Sequence, residues 1–183
     1  MNIPVESVEM NFPLRIPRMR LWNGSGGAGR FRGGLGLEKV FEATSTDVMV
    51  SHRGERFASA PWGLHGGGPG RMARAFIVRK DGTREELPSK KMIVLHPGDQ
   101  LWEYIPGGAG YGDPFERDAE LVAADVLDGK VSREAAREAY GVVLTADGSA
   151  VDELATKECR EALRRERGRI DWLFDRGVDG RLA

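Results

Sequence analysis

The chain has 183 residues, 40% of them hydrophobic and 30% charged, with a formal net charge of −1 and a pI near 6.3. That composition supports a packed core and excludes wholesale disorder. Its charge balance gives no electrostatic case for a nucleic-acid or anionic-membrane surface. No apolar run approaches the roughly 20 residues of a membrane helix. The opening MNIPVESVEMNFP lacks the basic-then-apolar pattern of a secretory leader, and the lone Cys159 has no internal disulfide partner. A cytoplasmic, reducing location is therefore expected.

Glycine divides the chain: 19 of the 25 glycines precede residue 115. The expected organisation is a Gly-rich β domain over 1–114 and a charged helical extension over 115–183. In chain order, LGLEKVFEA alternates Leu35, Leu37, Phe41 and Ala43 against Glu38, Val40 and Glu42, as a half-buried strand does. DVMVSHR continues the pattern. ARAFIVRKDGTREEL sets Asp81-Gly82 between two extended runs, which predicts a two-residue hairpin with positive φ at both turn positions. KKMIVLHPGDQLWEYI repeats the logic, with a turn at Pro97-Gly98-Asp99 and Leu101, Glu103 and Ile105 facing away from Trp102 and Tyr104. Short strands in such close succession predict a mainly antiparallel β body, sandwich or barrel-like, over about residues 1–106.

After Pro114 the period becomes helical, making the whole chain α+β. ERDAELVAADVLDG reads as a helix with Asp125 as a polar interruption and Gly129 just past its end. In SREAAREAYG, Ser132 is the expected N-cap and Gly141 the left-handed terminator. A short hairpin is expected near 142–151. A last helix is expected from about Asp152 to Arg176, with Ala155, Cys159, Ala162, Leu163, Ile170, Leu173 and Phe174 as its apolar stripe.

Three glycine-rich segments stand out: GSGGAGRFRGGLG, APWGLHGGGPG and IPGGAGYGDP. The first contains G-x-G-x-x-G at Gly24, Gly26 and Gly29. A dinucleotide site needs a helix straight after that motif, to hold the pyrophosphate at its N-terminus. RFRGGLG cannot supply one, so the glycines read as turns and close backbone approaches. Gly-Lys-Ser/Thr, G-x-S-x-G and C-x-x-C are all absent, and His52, His65 and His96 share no metal-ligand spacing. Arg30 and Arg32 flank the first turn and suit either an anion or surface acids, the second being the commoner fate. Cys159 falls on the presumed helix stripe, where a thiol is inert. Asp113 and Glu116 are near enough for acid/base work, but Asp113 before Pro114 reads better as a cap. No catalytic residue and no metal ligand is therefore assigned. Loops of this kind often build ligand or partner sites. The binding or interface candidates are Trp62, Gly63, Gly66, Gly67, Gly107, Gly108, Gly110, Tyr111 and Asp113.

Four ordered segments carry a family resemblance: NIPVESVEMNFPLRI, SGGAGRFRGGLG, PWGLHGGGPG and PGGAGYGDPFERD. Together, with VLDGKVSREAAREAYGVVL after them, they resemble the C-terminal part of the hydantoinase B/oxoprolinase family, relatives of the acetone carboxylase alpha subunit. The resemblance covers about residues 2–145. It implies a component of an ATP-dependent cyclic-amide hydrolase, acting with a hydantoinase A-type ATPase subunit and with the front portion of the B-type component. ATP and a divalent metal are then expected on those portions, with no cofactor on this chain and no activity from it alone. The rival expectations are a non-catalytic β-rich binding or assembly module, or a remnant, and within the family a ketone carboxylase component.

Overall fold

In a computed structural model, residues 3–174 are described. Seven strands lie among them: β1 Leu14–Trp22, β2 Gly36–Ala43, β3 Val48–Arg53, β4 Arg74–Val78, β5 Arg84–Leu87, β6 Lys90–Leu95 and β7 Gln100–Tyr104. The helices are α1 Val5–Asn11, α2 Ala119–Leu127, α3 Arg133–Tyr140 and α4 Glu153–Arg167, with a single 3₁₀ turn at Pro114–Glu116. The contacts divide the chain into two compact units that interleave in sequence. One holds residues 1–21, 37–58 and 72–105; the other holds 22–36, 59–71 and 106–183. This partition follows contacts, whereas the division expected at residue 114 follows composition.

The first unit is an open β sandwich, not a closed barrel. Five strands run in the order β1-β2-β7-β4-β5, and β3 pairs with β6 in a separate two-stranded sheet. The pairings β2–β7, β4–β7, β4–β5 and β3–β6 are all antiparallel. Ala43, Ala75, Ile77, Leu87 and Leu101 from the larger sheet meet Ile93 and Leu95 of β6 in one core. Successive side chains in a strand point to opposite faces. The register Phe41↔Leu101↔Ile77 therefore puts these three residues on the core side. Val40↔Trp102↔Phe76 lies on the other side, where the Phe76 and Trp102 rings stack at 5.8 Å. Guanidinium groups cover that aromatic face: Arg74 lies 4.1 Å over Tyr104 and Arg18 lies 5.1 Å over Trp102.

On β2 both faces are covered, which a half-buried strand does not lead one to expect: Phe41 and Ala43 pack on the core, and on the opposite face Glu38 and Val40 are exposed by only 3% and 1%. The sheet tolerates Glu38 there because Arg18 and Arg20 of β1 donate to its two oxygens at 3.0 and 2.7 Å. Burial alone would raise this carboxyl, but the two arginines outweigh it and hold it below the usual range. The β4–β5 connection is also longer than two residues. Gly82 donates to Arg79 O, Arg79 donates back to Thr83 O, and only Gly82 has positive φ, at +88°. That is a type I turn closed by a left-handed glycine, the three-residue hairpin alternative.

Asp99 fastens the 96–99 turn. Its carboxylate accepts from the amides of His96 and Lys80, each at 3.0 Å, and from Arg79 Nη1 at 2.8 Å. It is 3% exposed. Burial pushes this carboxyl up, and the three donors more than reverse that, leaving it lowered.

Helix ends in the second unit follow their capping residues. Asp118 accepts from Glu120 N, Ser132 from Ala135 N, and Asp152 from Ala155 N. Gly129 and Gly141 take φ of +68° and +63° just past α2 and α3. Val122, Val131, Ala136, Tyr140 and Val142 form this unit's core. Leu144 and Val151 bridge antiparallel across the intervening turn. The last helix is shorter than expected: α4 stops at Arg167 because Gly168, at φ +76° and ψ −160°, leaves the helical conformation. Ile170, Leu173 and Phe174 thus leave the helix, and positions 175–176 lie outside the described residues. The buried α4 residue is Thr156, whose hydroxyl accepts from Val143 N at 3.0 Å.

Asp99 and Glu38 give a signed pH prediction. Both folded-state pKa values lie below the ordinary 3.8 and 4.5. Their stabilisation is therefore complete above those values and is lost as pH falls through the depressed ones. Thermal melts between pH 7 and pH 2.5 should show stability falling on acidification. Asp99→Asn should cost about 1–3 kcal/mol at pH 7, since the amide cannot accept all three bonds, and should flatten the acid limb. An unchanged acid limb would refute the assignment.

Candidate functional site

The three glycine-rich segments converge within the second unit as one hydrogen-bonded lattice. Gly27 N donates to Gly108 O and Gly108 N to Gly34 O, both at 2.8 Å. Gly68 N donates to Ala28 O at 2.6 Å and Gly110 N to Gly68 O at 2.9 Å. Ser25, fully buried, adds a side-chain tie: its hydroxyl donates to Trp22 O and accepts from Gly36 N at 2.7 Å. The backbones approach so closely that side chains are excluded. A Cβ on Gly110 would collide with the Ala28 carbonyl, one on Gly67 with Gly110, one on Gly107 with Ser25, and one on Gly63 with Gly67. No helix follows Gly29; the chain runs on to β2. The G-x-G-x-x-G stretch is thus a packing element, and within it the amides of Gly24, Ser25 and Gly27 are engaged by the carbonyls of Lys130, Trp22 and Gly108.

The nine candidates fall into four kinds of place. Gly63, Gly67, Gly107 and Gly110 are buried lattice glycines. Gly66, at φ +90°, lies against Ile170, and Gly108 is exposed beside Gly34. Trp62 and Tyr111 present exposed rings, with Trp62 tilted 6.2 Å from Phe174. Asp113 caps the 3₁₀ turn, accepting from Phe115 N at 2.8 Å, and takes a bidentate pair from Arg167 at 2.8 and 2.7 Å. Burial would raise its carboxyl, but Arg167 and the Phe115 amide bring it below the usual range. A carboxylate committed this way caps and pairs; it is poorly set up to exchange protons.

Two features escape the sequence reading. The first is a lateral row. Phe31 bridges Tyr111 antiparallel, Tyr111 bridges Leu64 in parallel, and Leu64 bridges Phe174 antiparallel. Four separate chain segments thus place Phe31, Tyr111, Leu64 and Phe174 side by side, like one rung across a sheet. The second is a buried ionic cluster. Arg32 Nε and Arg117 Nη2 each lie 2.9 Å from Asp125 Oδ2. Arg32 Nη1 also donates to Gly33 O at 2.7 Å and Arg117 Nη1 to Arg30 O at 3.2 Å. Nearby burial pushes the Tyr140 phenol up to about 12. Asp125 on an otherwise apolar helix face was the visible signal of such a cluster. Arg30 meets the surface acid Glu116 loosely at 3.7 Å, while the acid that Arg32 meets is buried.

Beside the row lies an open cleft of about 770 Å³, lined among others by Arg30, His65, Tyr111, Arg164, Arg169 and Trp172. His65, with φ +49°, is edge-on to Tyr111 at 5.2 Å. His52 Nδ1 is 3.0 Å from Glu103, and His96 Nδ1 is 2.9 Å from Asp47. Cys159 is half-buried on α4. Among the described residues, no group of three or more His, Cys, Asp or Glu side chains could hold a metal ion. No helix among them is long and apolar enough to cross a membrane.

The chain has counterparts among known proteins. The hydantoinase B/oxoprolinase family model matches residues 1–114. The chain belongs to this family. It is 34% identical over 164 residues to the putative B-type subunit of a D-/L-hydantoinase from a Pseudomonas species, covering 87% of this chain and 27% of that protein. Among solved structures in the family, the ATP-dependent caprolactamase of Pseudomonas jessenii matches with a TM-score of 0.78 at 32% identity, covering 88% of this chain and 28% of the other. The nucleotide-free acetone carboxylase structure matches with a TM-score of 0.77 at 27% identity, covering 90% and 26%. The chain therefore spans little more than a quarter of the length of the hydantoinase and caprolactamase subunits it matches.

The lattice makes a sharp contrast among glycines. Gly110→Ala should destabilise by at least about 3 kcal/mol or block folding, because backbone must move to admit the methyl. Gly34→Ala has nothing within 4 Å of the new methyl and should change stability by less than about 0.5 kcal/mol. Urea midpoints measure both. Equal effects would overturn the close-packing account.

Proposed function

We propose that this chain is the C-terminal segment, or a separately encoded piece, of the B-type component of an ATP-dependent cyclic-amide hydrolase of hydantoinase/oxoprolinase type. Its role in that enzyme is to support the active site and the subunit interface. The observation that carries this reading is family membership together with coverage of only 26–28% of the length of the hydantoinase, caprolactamase and acetone carboxylase relatives. Named relatives are parts of larger enzymes: the putative B-type subunit of a hydantoinase and the beta subunit of a caprolactamase. On this reading the nucleotide and any divalent metal are held by the A-type ATPase subunit and by the front portion of the B-type component. The buried glycines keep the loops rigid, Trp62, Gly108 and Tyr111 present the binding surface, and Asp113 with Arg167 fixes the edge of that surface.

Similarity to acetone carboxylase supports a second reading, ketone carboxylation, at somewhat lower identity. The two separate by assay. The purified chain alone is expected to hydrolyse no ATP in the presence of hydantoin, 5-oxoproline or caprolactam. Combined with an A-type subunit and the B-type front portion, it should support ATP hydrolysis coupled to ring opening. Coupling to bicarbonate and acetone instead would select the carboxylase reading, and ring opening by the chain alone would sink the proposal.

A further inference from the structure

We infer that the lateral row Phe31–Tyr111–Leu64–Phe174, extended by Trp62 and Leu173, is the face on which the front portion of the B-type component docks. This deepens the proposed function and rests on it. The six side chains are 36% to 61% exposed, although they are aromatic or leucine. They are also contiguous. Consecutive members of the row are bridge partners, the Phe31 and Tyr111 rings lie 6.2 Å apart, and His65 N donates to Leu173 O at 2.7 Å. Scattered exposed apolar residues are ordinary on a protein surface. A contiguous aromatic patch rimmed by charge marks an interaction site.

Three observations select the occupant. The aligned segment is only 28% of the matched relatives' length, so a large protein surface of the same component remains to be placed. The row is also preorganised. Phe31, Leu64 and Tyr111 sit on the three segments locked by the glycine lattice, through Arg30 N to Gly112 O at 3.1 Å, Gly112 N to Leu64 O at 2.9 Å and Leu64 N to Gly110 O at 3.2 Å. A rigid face loses little entropy on docking. Finally, the cleft beside the row carries four arginines (Arg30, Arg164, Arg167, Arg169) against three acids (Asp113, Glu116, Asp171). Asp113 is committed to Arg167. Arg30 meets Glu116 at 3.7 Å and Arg164 donates to Phe115 O at 3.0 Å, so the partner surface is apolar or aromatic at its centre, with a carboxylate at the rim facing Arg169.

The full chain is co-expressed with the part of the beta subunit of Pseudomonas jessenii caprolactamase that lies outside the matched 28%, and retention on the tagged partner is measured. Wild type should co-purify. Tyr111→Ser and Phe31→Ser should each lower retention at least tenfold, while circular dichroism melts show that both variants remain folded. Met49→Ser on β3, equally apolar and exposed but in the other unit, should retain the partner. Arg169→Gln should lower retention severalfold and reduce its salt dependence. Loss through Met49→Ser with the row variants unaffected overturns the inference, as does absence of any complex. A dimer of the chain alone, by light scattering, that Tyr111→Ser dissolves would assign the row to a second copy and overturn it too. A complex that forms through the row but couples no ATP hydrolysis to cyclic-amide opening would leave the docking face standing and remove the proposed activity.

Discussion

Backbone-to-backbone contact without intervening side chains is the constraint on which the second unit rests. Ordinary loops are spaced by their Cβ atoms. Here Gly27, Gly67, Gly107 and Gly110 are placed where a methyl would overlap a neighbouring carbonyl. The amide of one loop can then reach the carbonyl of the next at 2.6 to 2.9 Å. Buried backbone groups must be paired, and these segments belong to no regular sheet. The lattice supplies that pairing, and it turns sequences that would be flexible in isolation into a fixed platform. The large entropy that glycine loses on ordering is offset only because many such bonds form together.

This explains why the glycines were legible as turns but not as a lattice. Any one of GGAG, GGLG or HGGGPG predicts positive φ. Yet Gly27, Gly67, Gly107 and Gly110 are absent from the residues with positive φ. Their requirement is space and comes from a different segment, which single-sequence patterning does not encode. Helix ends were legible for the opposite reason. Ser132, Gly129 and Gly141 act within a few residues of themselves, and a local rule sufficed. The end of α4 shows the boundary between the two cases. The apolar spacing of Ile170, Leu173 and Phe174 continued the helical pattern, but Gly168 breaks the backbone before that pattern is used. Phe174 then bridges Leu64 instead of extending the helix.

The sheet follows the same division. Alternation in LWEYI placed Leu101 and Trp102 on opposite faces, as found. On β2, alternation named the two faces but not that both are buried, because Glu38 is made burial-compatible by Arg18 and Arg20 from another strand. A carboxylate's acceptability inside a protein is a property of its donors, not of its own position in a hydropathy pattern.

The same principle governs Asp125, with more at stake. Two guanidinium groups share one carboxylate there, and Arg160 lies close by, donating to Tyr140 O and Arg117 O. Cations outnumber the anion, so direct ion pairing cannot account for the burial. Main-chain carbonyls of Arg30, Gly33, Arg117 and Tyr140 absorb most of the surplus donors, although the buried Arg117 Nε has no hydrogen-bond partner among the described residues. Two of those carbonyls belong to the first glycine segment, so the charges are solvated by a backbone whose position the lattice fixes. Exchanging such a cluster for apolar residues can be neutral for stability, whereas removing one partner strands a charge. Asp125 is consequently worth more as a constraint than as a bond: it ties Arg32, and with it the start of the Phe31–Tyr111–Leu64–Phe174 row, to α2.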